Sequence, residues 1–173
     1  MIDILTGPVR SGKTTLLLRL WRELSEGGIQ VGGFLSLSTP ESGELFGYDL
    51  LDLAKDRTFP FIRKRGKIGW ERIGPFFFIP DTLEKARNLI FKDVSSDICI
   101  VDEVGPLELE GKGLWPALSR VLFRSAPRLL LTVRTNTLEP LGKKLGDAIE
   151  EIFSITDADV YSRMVSHFMN HSG

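Results

Sequence analysis

Residues 7–14 read Gly7-Pro8-Val9-Arg10-Ser11-Gly12-Lys13-Thr14, with two glycines, four residues between them, then lysine and a hydroxyl residue. This spacing is typical of loops that bind the phosphates of a nucleotide. The glycines let the chain turn where a side chain would clash, so that successive backbone N–H groups can point at phosphate oxygens. We expect Lys13 to reach the β- and γ-phosphates and the Thr14 hydroxyl to coordinate Mg²⁺.

The residues on either side of this loop predict a strand before it and a helix after it. Ile2–Leu5 is a short β-type run, and Lys13–Ser25 has apolar residues at helical spacing. The amino end of that helix adds its positive dipole to the same anion-binding position. We therefore predict that the nucleotide-binding residues are consecutive: Gly7, Pro8, Val9, Arg10, Ser11, Gly12, Lys13, Thr14 and Thr15.

The length of the chain favours one domain, and its charge leaves small charged ligands as the open class of partner. The 173 residues can build one sizeable core, and we assign residues 1–173 to a single domain. A net charge of −1 gives no reason to predict general attraction to nucleic acids or membranes. The one cysteine, Cys99, lies in an apolar run, which argues against disulfides and thiolate metal clusters. Because no signal peptide or long apolar span is visible, we expect a cytoplasmic protein.

The middle of the chain predicts antiparallel strands. Val31–Leu37 and Leu45–Leu53 alternate in a strand-like way around a turn signal at 39–43. Arg57–Lys67 is a further β-like stretch that carries many charges. We therefore predict a hairpin or meander over residues 31–67.

The rest of the chain alternates helices with buried strands. Asp81 and Glu84 fit a capping box that opens the first of these helices. The predicted elements are a strand at 76–78, a helix from 81 to about 92, a strand ending at 102, a helix at 114–125, a strand at 129–133, a helix at 138–145, a strand at 149–155 and a helix at 157–171. This order predicts an α/β fold with a mainly parallel sheet, helices on both faces and the 31–67 hairpin as an antiparallel insertion.

The run Ile98–Glu103 is an apolar strand that ends in two carboxylates. Because α/β proteins bind ligands at the carboxyl ends of their strands, both acids are expected at the edge that carries the phosphate loop. We predict that Asp102 supports Mg²⁺. We predict that Glu103 orients or deprotonates the water that attacks the γ-phosphate. Kinase chemistry is the alternative, since the charged stretch 55–72 could form the lid that a kinase needs.

A further cation is expected to stabilise the negative charge of the γ-phosphate in the transition state. Arg134 follows a predicted strand at the same edge, and Arg10 lies inside the phosphate loop; the arginines of 57–72 are further candidates. The candidate catalytic residues are therefore Glu103, Lys13 and Arg134. If no internal arginine serves, turnover is expected to stay slow until a protein partner supplies one, a difference of roughly 10³ to 10⁵ in rate.

Two other features leave alternatives open. Trp70 and its basic neighbours could stack on a nucleobase or on single-stranded nucleic acid, or Trp70 could anchor its own loop. His167 and His171 are four residues apart on the last predicted helix, a spacing that can bind a metal. Without a third ligand nearby, a frayed helix end is the alternative interpretation.

The phosphate loop, the strand Val31–Phe34 and the segment Val101–Leu109 together resemble the thermophile-type nucleoside-triphosphatases, a family that includes the cancer-related nucleoside-triphosphatase. The resemblance covers nearly the whole chain, and the pattern Asp-Glu-x-Gly-x-x-Glu-Leu at 102–109 is its most specific marker after the phosphate loop. The chain differs from the family at Pro106 and Leu107, where members generally have lysine and methionine.

The resemblance implies a three-layer, RecA-like P-loop fold. It also implies slow, Mg²⁺-dependent hydrolysis of ATP, GTP, CTP and UTP with broad base specificity. Glu108 lies in the matching motif, and its alternative interpretation is a solvated or helix-capping carboxylate. A nucleotide or polynucleotide kinase and a nucleotide-binding adaptor are the alternative functions. The site residues that the resemblance implies are Gly7, Gly12, Lys13 and Thr14 for phosphates and Mg²⁺, Asp102 for the metal and Glu103 for catalysis.

Overall fold

A computed structural model of the chain describes residues 1–92, 96–122 and 128–170, and these build one nine-stranded sheet with helices on both faces. The strands are β1 (Ile2–Gly7), β2 (Val31–Glu41), β3 (Glu44–Asp52), β4 (Arg57–Arg63), β5 (Arg72–Ile73), β6 (Phe76–Phe78), β7 (Ile98–Val104), β8 (Arg128–Arg134) and β9 (Ile149–Ser154). The helices are α1 (Lys13–Glu26), α2 (Pro80–Lys92), α3 (Pro106–Leu109), α4 (Trp115–Leu122), α5 (Thr135–Leu145) and α6 (Val160–Asn170), with a 3₁₀ turn at Gly146–Ala148.

The sheet has a parallel half and an antiparallel half. Its strand order is β5-β6-β4-β3-β2-β7-β8-β1-β9. The strands β2, β7, β8, β1 and β9 are parallel, while β3, β4, β6 and β5 continue the sheet in antiparallel pairing. The predicted α/β class and the antiparallel insertion are confirmed. The insertion is larger than the predicted hairpin, because residues 72–78 add two more short strands.

Two apolar clusters hold the helices against the sheet. On one face α1 and α6 contribute fully buried residues such as Leu17 and Phe168. On the other face α2, α4 and α5 contribute Ala86, Leu118 and Leu141. Each helix therefore buries one apolar stripe, as the helical spacing of the sequence predicts. No helix in the described ranges is long and apolar enough to cross a membrane.

Gly33 allows β2 to lie directly against β7. Its backbone has a φ of +85°, and a Cβ atom there would overlap the backbone of Ile100. Only glycine tolerates this left-handed conformation and this close approach. The contact brings the part of β2 that follows Gly33, including Ser36, to the carboxyl end of β7.

Several predicted boundaries are wrong, and one helix was not predicted. The capping box is wrong because α2 begins at Pro80, where proline suits the first turn, and the Glu84 carboxylate instead lies 3.6 Å from the Arg87 guanidinium. Helix α5 begins at Thr135 directly after β8 rather than at 138, and α6 begins at Val160 rather than at 157. β4 ends at Arg63 rather than at 67, and α3 is an additional short helix. The predicted helix end at 123–125 lies outside the described residues.

Candidate active site

The phosphate loop connects β1 to α1 at the carboxyl end of the parallel strands. Gly7 is buried, and a Cβ atom there would overlap the Ile155 side chain. Arg10 and Gly12 have positive φ angles of 58° and 92°. These angles turn the backbone between strand and helix; the left-handed conformation of Gly12 is one that glycine favours, whereas Gly7 is required by its close contact with Ile155. Residues 8–10 are exposed at the mouth of the loop.

Lys13 lies over this loop with its ammonium group inside the site. Its Nζ donates to the carbonyl oxygens of Gly7, at 3.0 Å, and Pro8, at 2.8 Å. Burial lowers the pKa of Lys13, while the carboxylates of Glu103 and Asp102 act in the opposite direction. The ammonium group is therefore desolvated and close to both acids, so it is well placed to bind an incoming anion.

Asp102 is buried beneath Lys13 and is held by hydroxyl and amide donors. The Thr14 hydroxyl donates to Oδ2 at 2.8 Å, and the Thr132 hydroxyl donates to Oδ1 at 2.6 Å. The Ser36 backbone N–H donates to Oδ2 at 3.2 Å, and the Ser36 hydroxyl donates to the Asp102 carbonyl. Burial raises the pKa of Asp102, and the hydrogen bonds from Thr132, Thr14 and Ser36 act against this increase.

The pair of Thr14 and Asp102 fits a magnesium site. Both supply hard oxygen donors, which Mg²⁺ prefers, and they already lie within hydrogen-bond distance of each other. Within the described ranges, no group of three or more His, Cys, Asp or Glu side chains could hold a metal alone. Mg²⁺ commonly keeps waters and binds through one or two protein groups together with substrate phosphates, so the small donor set is the expected one.

Glu103 lies at the mouth of the site and forms an ion pair with Arg134. Arg134 Nε donates to Glu103 Oε1, and both side chains are partly exposed. The Asp102–Glu103 peptide bond is cis, and the β7–β8 register shifts between Val101 and Val104. Lys13, Asp102, Glu103 and Arg134 thus meet at one edge of the sheet, as the sequence predicts.

The other predicted cations are placed differently. Arg10 is exposed and forms no ion pair within the described part of the chain. In the 57–72 stretch, Arg63 is paired with Asp49 at 2.6 Å, and Arg72 donates to the Gly74 carbonyl. Arg134 is also paired, but its partner Glu103 follows Asp102 at the site, whereas Asp49 and Gly74 belong to the antiparallel half of the sheet and the turn within it.

Trp70 and His167 both lie away from the phosphate loop in sequence, and the structure places each of them in a defined environment. Trp70 is half-buried in the loop between β4 and β5, with the Lys67 ammonium 6.0 Å from its ring centre. His167 Nε2 lies 3.0 Å from Asp3 Oδ1 and 3.1 Å from Arg128 Nη1, at the opposite edge of the sheet from the phosphate loop. His167 is therefore part of a buried polar cluster rather than a frayed end, and His171 lies outside the described residues.

Glu108 is a buried capping group rather than a solvated one. Only 2% of its surface is exposed. Its Oε2 accepts the Gly105 N–H and its Oε1 accepts the Leu114 N–H, each at 2.8 Å. These bonds fix the segment that directly follows Glu103. Glu108 thus supports the site through the backbone and does not face the phosphate loop.

Sequence reasoning missed Ser36 and Thr132, which complete the shell around Asp102. Thr132 is a polar residue inside the otherwise apolar run Leu129–Val133, and that interruption is a signal that could have been used. Ser36 has no such signal, because its role depends on how β2 pairs with β7.

The strand order β2-β7-β8-β1-β9, the phosphate loop after β1 and the acids at the end of β7 together define a P-loop nucleotide-binding protein of the α/β class. A family model described as NTPase matches residues 3–161. The chain therefore belongs to this nucleoside-triphosphatase family, which confirms the resemblance seen in the sequence.

Individual relatives agree with this assignment. The nucleoside-triphosphatase THEP1 of Methanopyrus kandleri is 33% identical over 129 residues, which cover 74% of this chain and 71% of the relative. The nucleoside-triphosphatase THEP1 of Saccharolobus solfataricus is 27% identical over 142 residues, covering 82% and 79% of the two chains.

Two solved structures share the fold. The solution structure of a human cancer-related nucleoside triphosphatase superposes with a TM-score of 0.72 at 22% identity, covering 97% of this chain and 95% of the other. The crystal structure of THEP1 from Aquifex aeolicus superposes with a TM-score of 0.71 at 19% identity, covering 97% and 99%. The predicted three-layer P-loop fold is thereby confirmed.

Proposed function

We propose that this chain hydrolyses nucleoside triphosphates to nucleoside diphosphate and inorganic phosphate, slowly, with Mg²⁺ and with little preference between bases. The observation that carries the proposal is that Lys13, Asp102, Glu103 and Arg134 meet at the mouth of the phosphate loop. Family membership supports hydrolysis in general. Magnesium dependence, rate and base preference are inferences from the site residues and the resemblance.

The phosphate loop and Lys13 would bind the triphosphate. Lys13 would exchange its bonds to the Gly7 and Pro8 carbonyls for phosphate oxygens, which carry more negative charge. Thr14 and Asp102 would hold magnesium, which supplies charge neutralisation to the bound phosphates. Phosphoryl transfer depends mainly on positioning and charge stabilisation. The phosphate loop, Lys13, Thr14 and Asp102 would provide both.

Glu103 and Arg134 would act on the γ-phosphate. The Glu103 carboxylate would orient the attacking water and accept its proton. Arg134, which now donates to Glu103, would donate instead to the γ-phosphate once that anion is bound. Their ion pair thus keeps both charges at the position where the reaction needs them.

The test is phosphate release from ATP, GTP, CTP and UTP, with and without Mg²⁺, by the parent and by Glu103→Gln. We expect slow release from several nucleotides by the parent. In Glu103→Gln we expect release to fall by about 100-fold or more, because a positioned general base contributes that much, while the Kd for ADP stays the same.

The matched control is Glu110→Gln. Glu110 is an exposed acid directly after α3, and among the described residues it is paired only with Lys112. This variant should hydrolyse like the parent. Equal rates for Glu103→Gln and the parent would contradict the proposal. Tight nucleotide binding without release by the parent would favour a kinase lacking its acceptor or an adaptor.

A further inference from the structure

Tyr48 reaches the phosphate-binding edge from the antiparallel half of the sheet. It lies in β3, where its cross-strand partner on β2 is Ser38. Directly opposed residues of antiparallel strands point to the same face, and so do residues two apart on one strand. Tyr48 therefore shares a face with Ser36, whose hydroxyl donates to the Asp102 carbonyl. Tyr48 is therefore opposite Ser38, the next residue on the same face of β2 after Ser36, which contacts Asp102.

The Tyr48 ring is held in place by its neighbours. It is half-buried, and it packs edge-to-face against Phe76 with ring centres 5.8 Å apart. Its backbone carbonyl accepts a hydrogen bond from Arg63 at 2.8 Å. Within the described part of the chain, the Tyr48 hydroxyl has no hydrogen-bond partner. No contact within the described residues therefore has to be broken for this hydroxyl to donate to a ligand.

Three of the charged groups that act on this hydroxyl belong to the candidate active site, and the fourth is the exposed Arg10 of the phosphate loop. Burial raises the pKa of Tyr48, and the Glu103 carboxylate raises it further. Arg134 and Arg10 lower it, and Asp102 has a smaller raising effect. The hydroxyl thus stays protonated and lies within electrostatic reach of Glu103, Arg134 and Asp102.

From this placement we infer that Tyr48 is a further catalytic residue, whose hydroxyl donates a hydrogen bond to the γ-phosphate of the bound triphosphate. The inference rests on the proposed triphosphatase function. A neutral donor aimed at an oxygen that gains charge stabilises the transition state without a proton transfer. Because ADP lacks the γ-phosphate, Tyr48 should contribute to triphosphate binding and turnover but not to diphosphate binding.

The first test compares Tyr48→Phe with Tyr161→Phe. The chain has two tyrosines, so the second supplies a matched control. Tyr161 lies on α6, and its hydroxyl donates to Glu23 of α1. We expect Tyr48→Phe to lower kcat by about 10- to 100-fold, as for the loss of one donor to a developing charge, with an unchanged Kd for ADP and an unchanged melting temperature. Tyr161→Phe should leave kcat unchanged.

The second test observes the hydroxyl directly. With ¹³Cζ-labelled tyrosine the protein gives two ring signals, and Tyr48→Phe assigns them. We expect the Tyr48 signal to shift when a non-hydrolysable ATP analogue with Mg²⁺ replaces ADP with Mg²⁺, while the Tyr161 signal stays in place. A merely structural role for Tyr48 would not produce this difference.

The outcomes separate this inference from the proposed function. Normal phosphate release by Tyr48→Phe, or a Tyr48 signal that is the same in both complexes, would overturn the role of Tyr48 and leave the triphosphatase proposal intact. Absence of release by the parent protein would overturn the proposed function and this inference with it.

Discussion

At the scale of the residue, Asp102 is a buried carboxylate whose hydrogen-bond donors are all uncharged. Its carboxylate is only 2% exposed, and it accepts hydrogen bonds from two hydroxyls and one amide without a direct cationic partner in the described part of the chain. Burial of a charge is unfavourable unless hydrogen bonds or an ion compensate for it. A cation bound beside Asp102, as proposed above, would compensate for part of this cost.

This cost predicts a pH-dependent effect of Asp102→Asn on stability. Because burial raises the folded-state pKa above the unfolded value near 4, the folded protein binds the proton more tightly. The contribution of Asp102 to stability is thus most favourable at low pH and is lost as pH rises through the raised pKa. We expect Asp102→Asn to be more stable than the parent at neutral pH, with a difference that shrinks toward pH 4. Urea unfolding at several pH values measures it.

The same substitution should impair function. We expect the affinity for Mg²⁺ in the presence of ADP to fall by about 10- to 100-fold, a typical effect of losing a group that supports a metal. A variant that is less stable than the parent at every pH would contradict the stability prediction. An unchanged magnesium requirement would contradict the assignment of Asp102 to the metal.

At the scale of the element, the segment from β7 to α4 depends on one buried carboxylate. Glu108 accepts the Gly105 and Leu114 amides, and Lys144 of α5 donates to the Glu108 and Leu109 carbonyls. The short helix α3 has too few residues to be stable alone. Glu108 therefore connects β7, α3 and the start of α4, and so it orients the backbone directly after Glu103.

Glu108→Gln should loosen this connection. A glutamine has one acceptor oxygen, so its NH₂ group would face an amide donor, and we expect the free energy of unfolding to fall by about 1 to 3 kcal/mol. We also expect kcat to fall while the Kd for ADP is nearly unchanged, because the phosphate loop is a separate element. Urea unfolding and phosphate release check both expectations. A variant with normal stability, matching Glu110→Gln, would show that these two bonds contribute little.

At the scale of the whole molecule, the proposed site joins parts of the chain that are far apart in sequence. It combines the loop after β1 with the ends of β7 and β8, and the further inference adds Tyr48 of β3. A ligand that binds only the folded protein stabilises the whole domain by mass action. Nucleotide binding should therefore be visible in global unfolding.

ADP with Mg²⁺ at 100 times its Kd should add about 2.7 kcal/mol to the free energy of unfolding. For a chain of this size, that corresponds to an increase in Tm of roughly 5 to 10 °C. Lys13→Ala should lose most of this increase, whereas Lys143→Ala, an exposed lysine paired with Glu139, should keep it. Thermal unfolding with and without ADP measures the shift, and equal shifts in the two variants would contradict the assignment of Lys13.

Much of the site was predictable because its chemistry is local. The phosphate loop is recognisable from consecutive residues, because its glycines and Lys13 lie within eight positions of one another. Asp102 and Glu103 are recognisable as the two acids that end one apolar strand. The alternation of helices and strands likewise follows from periodicity along short segments. Boundaries such as the start of α2 were wrong, because the local capping signal at Asp81 competes with the preference of Pro80 for the first turn of a helix.

The remaining features depend on contacts between distant segments. The pairing of Arg134 with Glu103, the shell of Ser36 and Thr132 around Asp102, and the approach of Tyr48 all require the lateral order and register of the strands. Register shifts of one residue reverse the face of every side chain, and short-range patterns do not encode which strands become neighbours. The chain alone therefore determined the phosphate-loop motif and the acids at the end of β7, while the tertiary structure decided which side chains lie together beside that loop, because only strand order and register bring them there.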